Sequence, residues 1–166
     1  MTTGLMLPPE LSAVLNTLGF SWPLSDEGKL FDLAGQWSSF GERLEPAAAG
    51  ADDQAQQVLS NNSGAAVEQF GTFWSDGEAP KQNLDDGAAA CALMSTGLNT
   101  CAGVVLALKT TVIAQLAMLA VQIAQAIATA VPTFGASLLQ IPVFRQITDL
   151  LLDQALDLAI SSVLDG

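Results

Sequence analysis

Two thiols, Cys91 and Cys101, and 17 acidic side chains set against 5 basic ones make up the reactive inventory of this chain. Histidine and tyrosine are absent, so the commonest general base is missing and neither thiol has an imidazole to deprotonate it. Ten residues of helix hold two sulfurs about 15 Å apart, beyond disulfide reach unless the helix breaks near Gly97. Both cysteines therefore read as small core residues. A metal site would have to be built from carboxylates alone. Asp52-Asp53 and Asp85-Asp86 are adjacent pairs whose members point to different sides of a helix or lie near turns, so they read as surface charge. No strand precedes a glycine-rich phosphate loop. The inventory predicts no catalytic residue, no cofactor and no metal site, and an enzyme is not expected.

The remaining candidates are polar or aromatic groups suited to recognition. On a 100° helical wheel Thr111, Gln115, Gln122 and Thr129 share a narrow arc with Gln125 beside it, an amide and hydroxyl stripe on an otherwise apolar cylinder. Phe70, Phe73 and Trp74 crowd the end of a periodic segment that closes at Trp74-Ser-Asp-Gly77, although packing alone would also place them there.

The elements that must position these groups follow a helical period almost throughout. Pro8-Pro9 opens a short helix that Gly19 closes. Ser25 is placed to cap the next helix, with Asp26 and Glu27 at its positive end. Leu30, Leu33, Ala34, Trp37, Phe40, Gly41 and Leu44 then define one buried face, which resumes in phase past Pro46 through Ala48, Ala51, Ala55, Val58 and Leu59. Pro46 should kink or briefly break that helix. Asn61-Asn-Ser-Gly64 predicts a chain reversal, followed by a helix from Ala65 to about Ser75.

After the loop at Glu78-Ala-Pro80, apolar positions from Leu84 through Ala88, Cys91, Met94 or Ser95, Leu98 and onward to Ile127 describe one very long helix, with Gly97 and Gly103 as places where it could be interrupted. Pro132-Thr-Phe-Gly135 closes it. A last amphipathic helix runs from Val143 to Val163, with Asp149, Asp153 and Asp157 along its wet face. No hairpin signal appears, so the fold class is all-α: an elongated helical bundle built on helix-turn-helix hairpins with one very long apolar helix. The expected organisation is a single helical domain, 1–166, divided into a short N-terminal helix and connector (1–24), a helical hairpin (25–80), the long apolar helix (81–131) and the C-terminal amphipathic helix (135–166).

No residue from Thr110 to Phe144 is charged, and Val112–Val131 is long enough to cross a bilayer. A solitary span would leave the Gln amides unpaired in hydrocarbon, which favours a soluble bundle over membrane insertion. The net charge of -12 repels phosphate backbones, so nucleic-acid binding is not expected. Met1–Glu10 lacks the basic stretch and short apolar core of a signal peptide, which points to a signal-peptide-independent route if the chain is exported.

The order of several short pieces resembles the elongated WXG-like domain at the N-terminus of actinobacterial polymorphic toxins, a family that includes the N-terminal part of a mycobacterial channel-and-toxin protein. The pieces are Leu7-Pro-Pro-Glu-Leu11, Leu18-Gly-Phe-Ser-Trp-Pro23, Asn62 to Trp74, Ala102 to Lys109 with Val112-Ile-Ala-Gln115, and Thr133-Phe-Gly-Ala-Ser137. The resemblance implies a non-enzymatic secretion-targeting and partner-binding domain of a type VII (ESX) effector or toxin, secreted or held in the cell envelope. Its implied partners are small WXG-type helical proteins or a second copy, together with the type VII machinery. Trp74, Gly77, Phe70 and Phe73 become candidates for the turn and secretion motif. The chain departs from the family in two ways: Trp74-Ser-Asp-Gly77 is one residue longer than Trp-x-Gly, and the Tyr-x-x-x-Asp/Glu signal cannot exist without tyrosine. Either a partner supplies that signal or another aromatic serves. The alternative function is a membrane-active or channel-forming helical module, with Thr111, Gln115, Gln122 and Thr129 lining a wet interior.

Overall fold

The computed structural model describes residues 4–164, and the readings at Met1–Thr3 and at Asp165–Gly166 lie outside the described residues. The order is α1 (Pro9–Thr17), α2 (Glu27–Asn61), α3 (Ala65–Trp74), α4 (Pro80–Ala128), a 3₁₀ helix (Ala136–Gln140) and α5 (Ile141–Leu164). No strand occurs among the described residues, and the chain is an all-α helical bundle. Two compact units are present. One joins the N-terminal segment through Leu30 to everything from Thr100 onward, and the other is Phe31–Asn99.

In the second unit α2 is buried at Ala34, Gly41, Ala48 and Ala55, every seventh residue. Such a strict seven-residue repeat is the seam of a coiled-coil-like contact, and here the seam residues are small. A Cβ placed on Gly41 would lie 3.1 Å from Cys91 Cβ and 3.3 Å from the Ala88 carbonyl oxygen, and one on Gly87 would lie 3.6 Å from Leu44. α2 and α4 therefore approach closely and run antiparallel in this unit. Leu33, Phe40 and Val58, expected on the buried face, are exposed because the seam is narrow. Between Met94 and Ser95 the structure turns Ser95 inward. The reversal falls at Gly64, whose φ of 118° is a left-handed conformation that glycine alone adopts freely.

Two local expectations need correction. α2 runs through Pro46 without a break. The proline removes one N–H, but Pro46 and Glu42, whose carbonyl loses that donor, are both exposed to water. Nor is Ser25 the cap: Asp26 Oδ1 accepts the Lys29 N–H at 3.1 Å, and the Ser25 carbonyl is engaged elsewhere. α4 is also uninterrupted at Gly97 and Gly103.

The first unit forms around Leu15 of α1, Val112 and Leu116 of α4 and Leu152 of α5, with Leu7, Leu11, Leu18, Phe20 and Trp22 packed onto them. At its edge Lys109 is only 2% exposed. Its ammonium donates to Glu27 Oε2 at 2.7 Å and to the Ser25 carbonyl at 2.6 Å, and lies 5.7 Å from the centre of the Trp22 ring. Glu27 also accepts the backbone N–H of Leu5. Burial alone would raise the Glu27 pKa. The hydrogen bond from Lys109, those from the Leu5 and Glu27 backbone N–H groups, and the ammonium charge overcome it, and the pKa falls below the ordinary 4.5.

Two predictions follow from this packing. Gly50 lies in α2 with open space around it, so Gly50→Ala gains about 0.5–1 kcal/mol of helix stability. Gly41→Ala falls below wild type, and urea unfolding separates the two variants by about 1–3 kcal/mol; equal stability would mean that the seam is not close-packed. Second, because Glu27 titrates lower when folded, its contribution is complete above pH 4.5 and is lost as pH falls through the lower folded value. In Glu27→Gln, thermal stability should lose this part of its pH dependence below 4.5, a difference that comparison of melting curves at each pH isolates from the other carboxylates.

Candidate functional site

The turn between α3 and α4 is built from its own hydrogen bonds. The Ser75 N–H donates to the Gly71 carbonyl at 3.1 Å, the Asp76 N–H to the Phe73 carbonyl at 3.3 Å and the Ala79 N–H to the Asp76 carbonyl at 3.0 Å. Asp76 Oδ1 accepts the Glu78 N–H at 2.9 Å, an Asx turn that closes the loop with a side chain. Pro80 then starts α4, where its missing N–H costs nothing.

Trp74 is fixed on this scaffold. Its Nε1–H donates to Asp52 Oδ1 of α2 at 2.8 Å, and its ring lies 5.8 Å from that of Phe70. Gly71 lets α3 approach α2, since a Cβ there would meet Leu59 at 3.2 Å. A cleft of about 250 Å³ opens here, lined by Asp52, Trp74, Asp76 and Lys81 among others. Lys81 bonds Asp85 at 2.6 Å. That hydrogen bond, then the charge of Asp85 and, after an opposing contribution from burial, that of Asp52 raise the Lys81 pKa above 10.5.

Of the four turn candidates, the structure brings Trp74 and Phe70 together, both half-buried. Phe73 and Gly77 are exposed. Gly77 has no left-handed φ and has open space around it. Asp52, which reads as surface charge in the sequence, is instead half-buried and bonded to Trp74, because a partner 22 residues away leaves no trace in helical spacing.

In the other unit the polar stripe borders the buried face of α4 (Ala102, Lys109, Val112, Leu116, Leu119 and Ala126). Gln115 and Gln122 are half-buried; Thr111 and Thr129 are exposed, and Thr129 Oγ1 donates to the Gln125 carbonyl at 2.8 Å. The open side of α4 beyond the stripe is mostly apolar, and its exposed Thr110 hydroxyl donates to the Leu106 carbonyl at 2.8 Å. It carries Leu106, Met118 and Val121, and the most apolar window of the helix, with mean hydropathy 2.0, has only 22% of its residues buried. α5 repeats the arrangement. Thr148 and Leu152 face inward, while Val143, Ile147, Leu150 and Leu158 are exposed beside Asp153 and Asp157.

Cys91 is buried and Cys101 half-buried, both as free thiols. No group of three or more Cys, Asp or Glu side chains among the described residues could hold a metal ion. The polar sites are thus the Trp74 anchor and the buried pair of Lys109 and Glu27, and the exposed sides of α4 and α5 are largely apolar.

Among known protein families, the one described as WXG100 like domain matches residues 8–150. No curated protein and no solved structure matches the chain.

The Trp74 anchor can be tested by a double-mutant cycle. Trp74→Phe and Asp52→Leu each lose the charge-assisted hydrogen bond, so their effects should be coupled by about 1–2 kcal/mol in urea unfolding. Additive effects would mean that the bond at 2.8 Å does not hold the turn.

Proposed function

We propose that this chain, which belongs to the WXG100-like domain family, is a non-enzymatic secretion-targeting and partner-binding domain of a type VII effector. The family is one of type VII secretion-related helical proteins, typically non-enzymatic and secreted, which typically pair with other WXG proteins or the type VII machinery. The observation that carries the proposal is the distribution of apolar side chains. The first unit buries one apolar side of α4 and α5 around Leu15, Val112, Leu116 and Leu152, yet Val143, Ile147, Leu150 and Leu158 of α5 and Leu106, Met118 and Val121 of α4 still face outward. An exposed apolar helix face is the natural counterpart of another amphipathic helix.

In this reading Trp74 and Phe70, fixed against Asp52, form a rigid turn for the export machinery, and Phe73 is the accessible aromatic beside them. The missing Tyr-x-x-x-Asp/Glu signal is supplied by the paired helical protein. The effector is a polymorphic toxin of the actinobacterial kind. The sequence pieces quoted above support that finer assignment.

A second reading, a membrane-active module of oligomerised helices with Thr111, Gln115, Gln122 and Thr129 toward a wet interior, is favoured by the mostly exposed apolar window of α4.

Deleting the ATPase of the host's type VII system should abolish export of the chain into culture filtrate; undiminished export refutes the targeting role. Pairing is read separately by light scattering of the chain co-expressed with a neighbouring small WXG protein. Ile147→Glu with Leu150→Glu, both at exposed positions, should weaken the complex at least about tenfold with little change in the melting temperature, since each anchor contributes about 1.5–3 kcal/mol when buried.

A further inference from the structure

The connection from α4 to α5 holds an aromatic side chain in an unfavourable place. Phe134 is 100% exposed, and its φ of 50° is a left-handed backbone that bulky residues avoid. The surrounding bonds enforce this. The Gly135 N–H donates to the Ala130 carbonyl at 2.7 Å and the Phe134 N–H to the Val131 carbonyl at 3.2 Å. Ser137, buried, donates its hydroxyl to the Ala126 carbonyl at 2.7 Å, and Thr133 Oγ1 reaches the Thr129 carbonyl at 2.7 Å and Ser137 Oγ at 3.1 Å.

The two hydroxyl side chains of the connection, Thr133 and Ser137, are thus bonded to each other and to carbonyls at or just past the end of α4, while Val131, Phe134 and Leu139 point outward. Hydroxyls already bonded and apolar side chains outward suit an apolar medium, because neither hydroxyl has to be desolvated without a partner. The connection offers no long helix face for a partner helix to lie along. No residue from Thr110 to Phe144 is charged. The first charge beyond is Arg145, exposed and without an acidic partner among the described residues. Its guanidinium suits a lipid phosphate while the apolar residues before it enter the acyl region. A net charge of -12 argues against recruitment by anionic headgroups.

We propose that the 131–139 connection inserts shallowly into a zwitterionic lipid surface with Phe134 as its anchor. This goes beyond pairing and export, uses neither docking face, and requires no helix to span the membrane.

The test floats the purified full chain on phosphatidylcholine vesicles with and without added phosphatidylglycerol. Phe134→Asn removes the ring and suits the left-handed backbone, so helicity and melting should be kept. Its partition coefficient should fall at least about tenfold, the equivalent of withdrawing one large apolar side chain from an apolar medium. Leu139→Gln should give a smaller loss in the same direction. Ile147→Glu with Leu150→Glu should float like wild type, which separates this contact from partner docking. Wild type left at the bottom of the gradient overturns the proposal, as does flotation that requires phosphatidylglycerol. So does Phe134→Asn within about twofold of wild type, or loss of flotation in the Ile147 and Leu150 variant.

Discussion

The buried pair of Lys109 and Glu27 constrains the first unit more than any other contact. Lys109 is the last charge before the long neutral run, and it is turned into the structure instead of out to water. An ammonium at that depth without a partner would cost several kcal/mol, so the N-terminal segment is obliged to bring an acceptor to it. Glu27, the Ser25 carbonyl and the Trp22 ring all converge on it, and the Leu5 N–H closes the far side of the carboxylate. The pair adds little net stability compared with two well-packed apolar residues. What it does is penalise any arrangement in which the segment slides along α4, since a shift of one residue strands both charges. The apolar contacts of Leu15 with Val112, Leu116 and Leu152 supply the attraction, and the ion pair selects their register.

Residue size then decides what is left outside. Small side chains occupy the interior: Ala34, Ala48, Ala55, Ala88, Ala102 and Ala126 are buried, with Gly41 in the same row. Helices joined through alanine and glycine come close together, and the larger residues beside the seam have no room between them. Leu33, Phe40, Leu93 and Met94 are exposed for this reason in the second unit; in the first, Met118, Val121, Leu150 and Leu158 lie on helix sides turned away from the Leu15, Val112, Leu116 and Leu152 core. Each such side chain would stabilise the molecule by about 1.5–3 kcal/mol if covered. In the second unit, which buries alanine and shows leucine and phenylalanine, the strongest hydrophobic attraction is directed outward.

The helices and their ends were legible because breakers and polar clusters mark them locally. Gly19, Gly64 and Gly135 all adopt left-handed φ where the sequence places an end or a turn, and the Asn61 to Gly64 cluster is a reversal. Burial was less legible. α4 and α5 carry apolar residues on nearly every side, so periodicity alone cannot choose the face that meets a neighbour; Met94 and Ser95 competed for one place on such grounds. The polar contacts were the least legible. Trp74 and Asp52 are 22 residues apart and Lys109 and Glu27 are 82 apart, distances at which spacing carries no information. The one available hint was that Lys109 stands alone where an apolar run begins.

The turn at Trp74-Ser-Asp-Gly77 has a structural account. A tight turn after a helix commonly needs glycine because one residue must take a left-handed backbone. Here the Asp76 carboxylate accepts the Glu78 N–H and its carbonyl accepts the Ala79 N–H, so the chain turns with side-chain help and no left-handed residue. The requirement moves from Gly77 to Asp76. With Ala79 buried at 1% exposure and Pro80 setting the start of α4, both ends of the loop are fixed, and Ser75, Asp76 and Gly77 between them lie on the exposed side. The position of Trp74 is then set by its bond to Asp52 and not by its distance from Gly77.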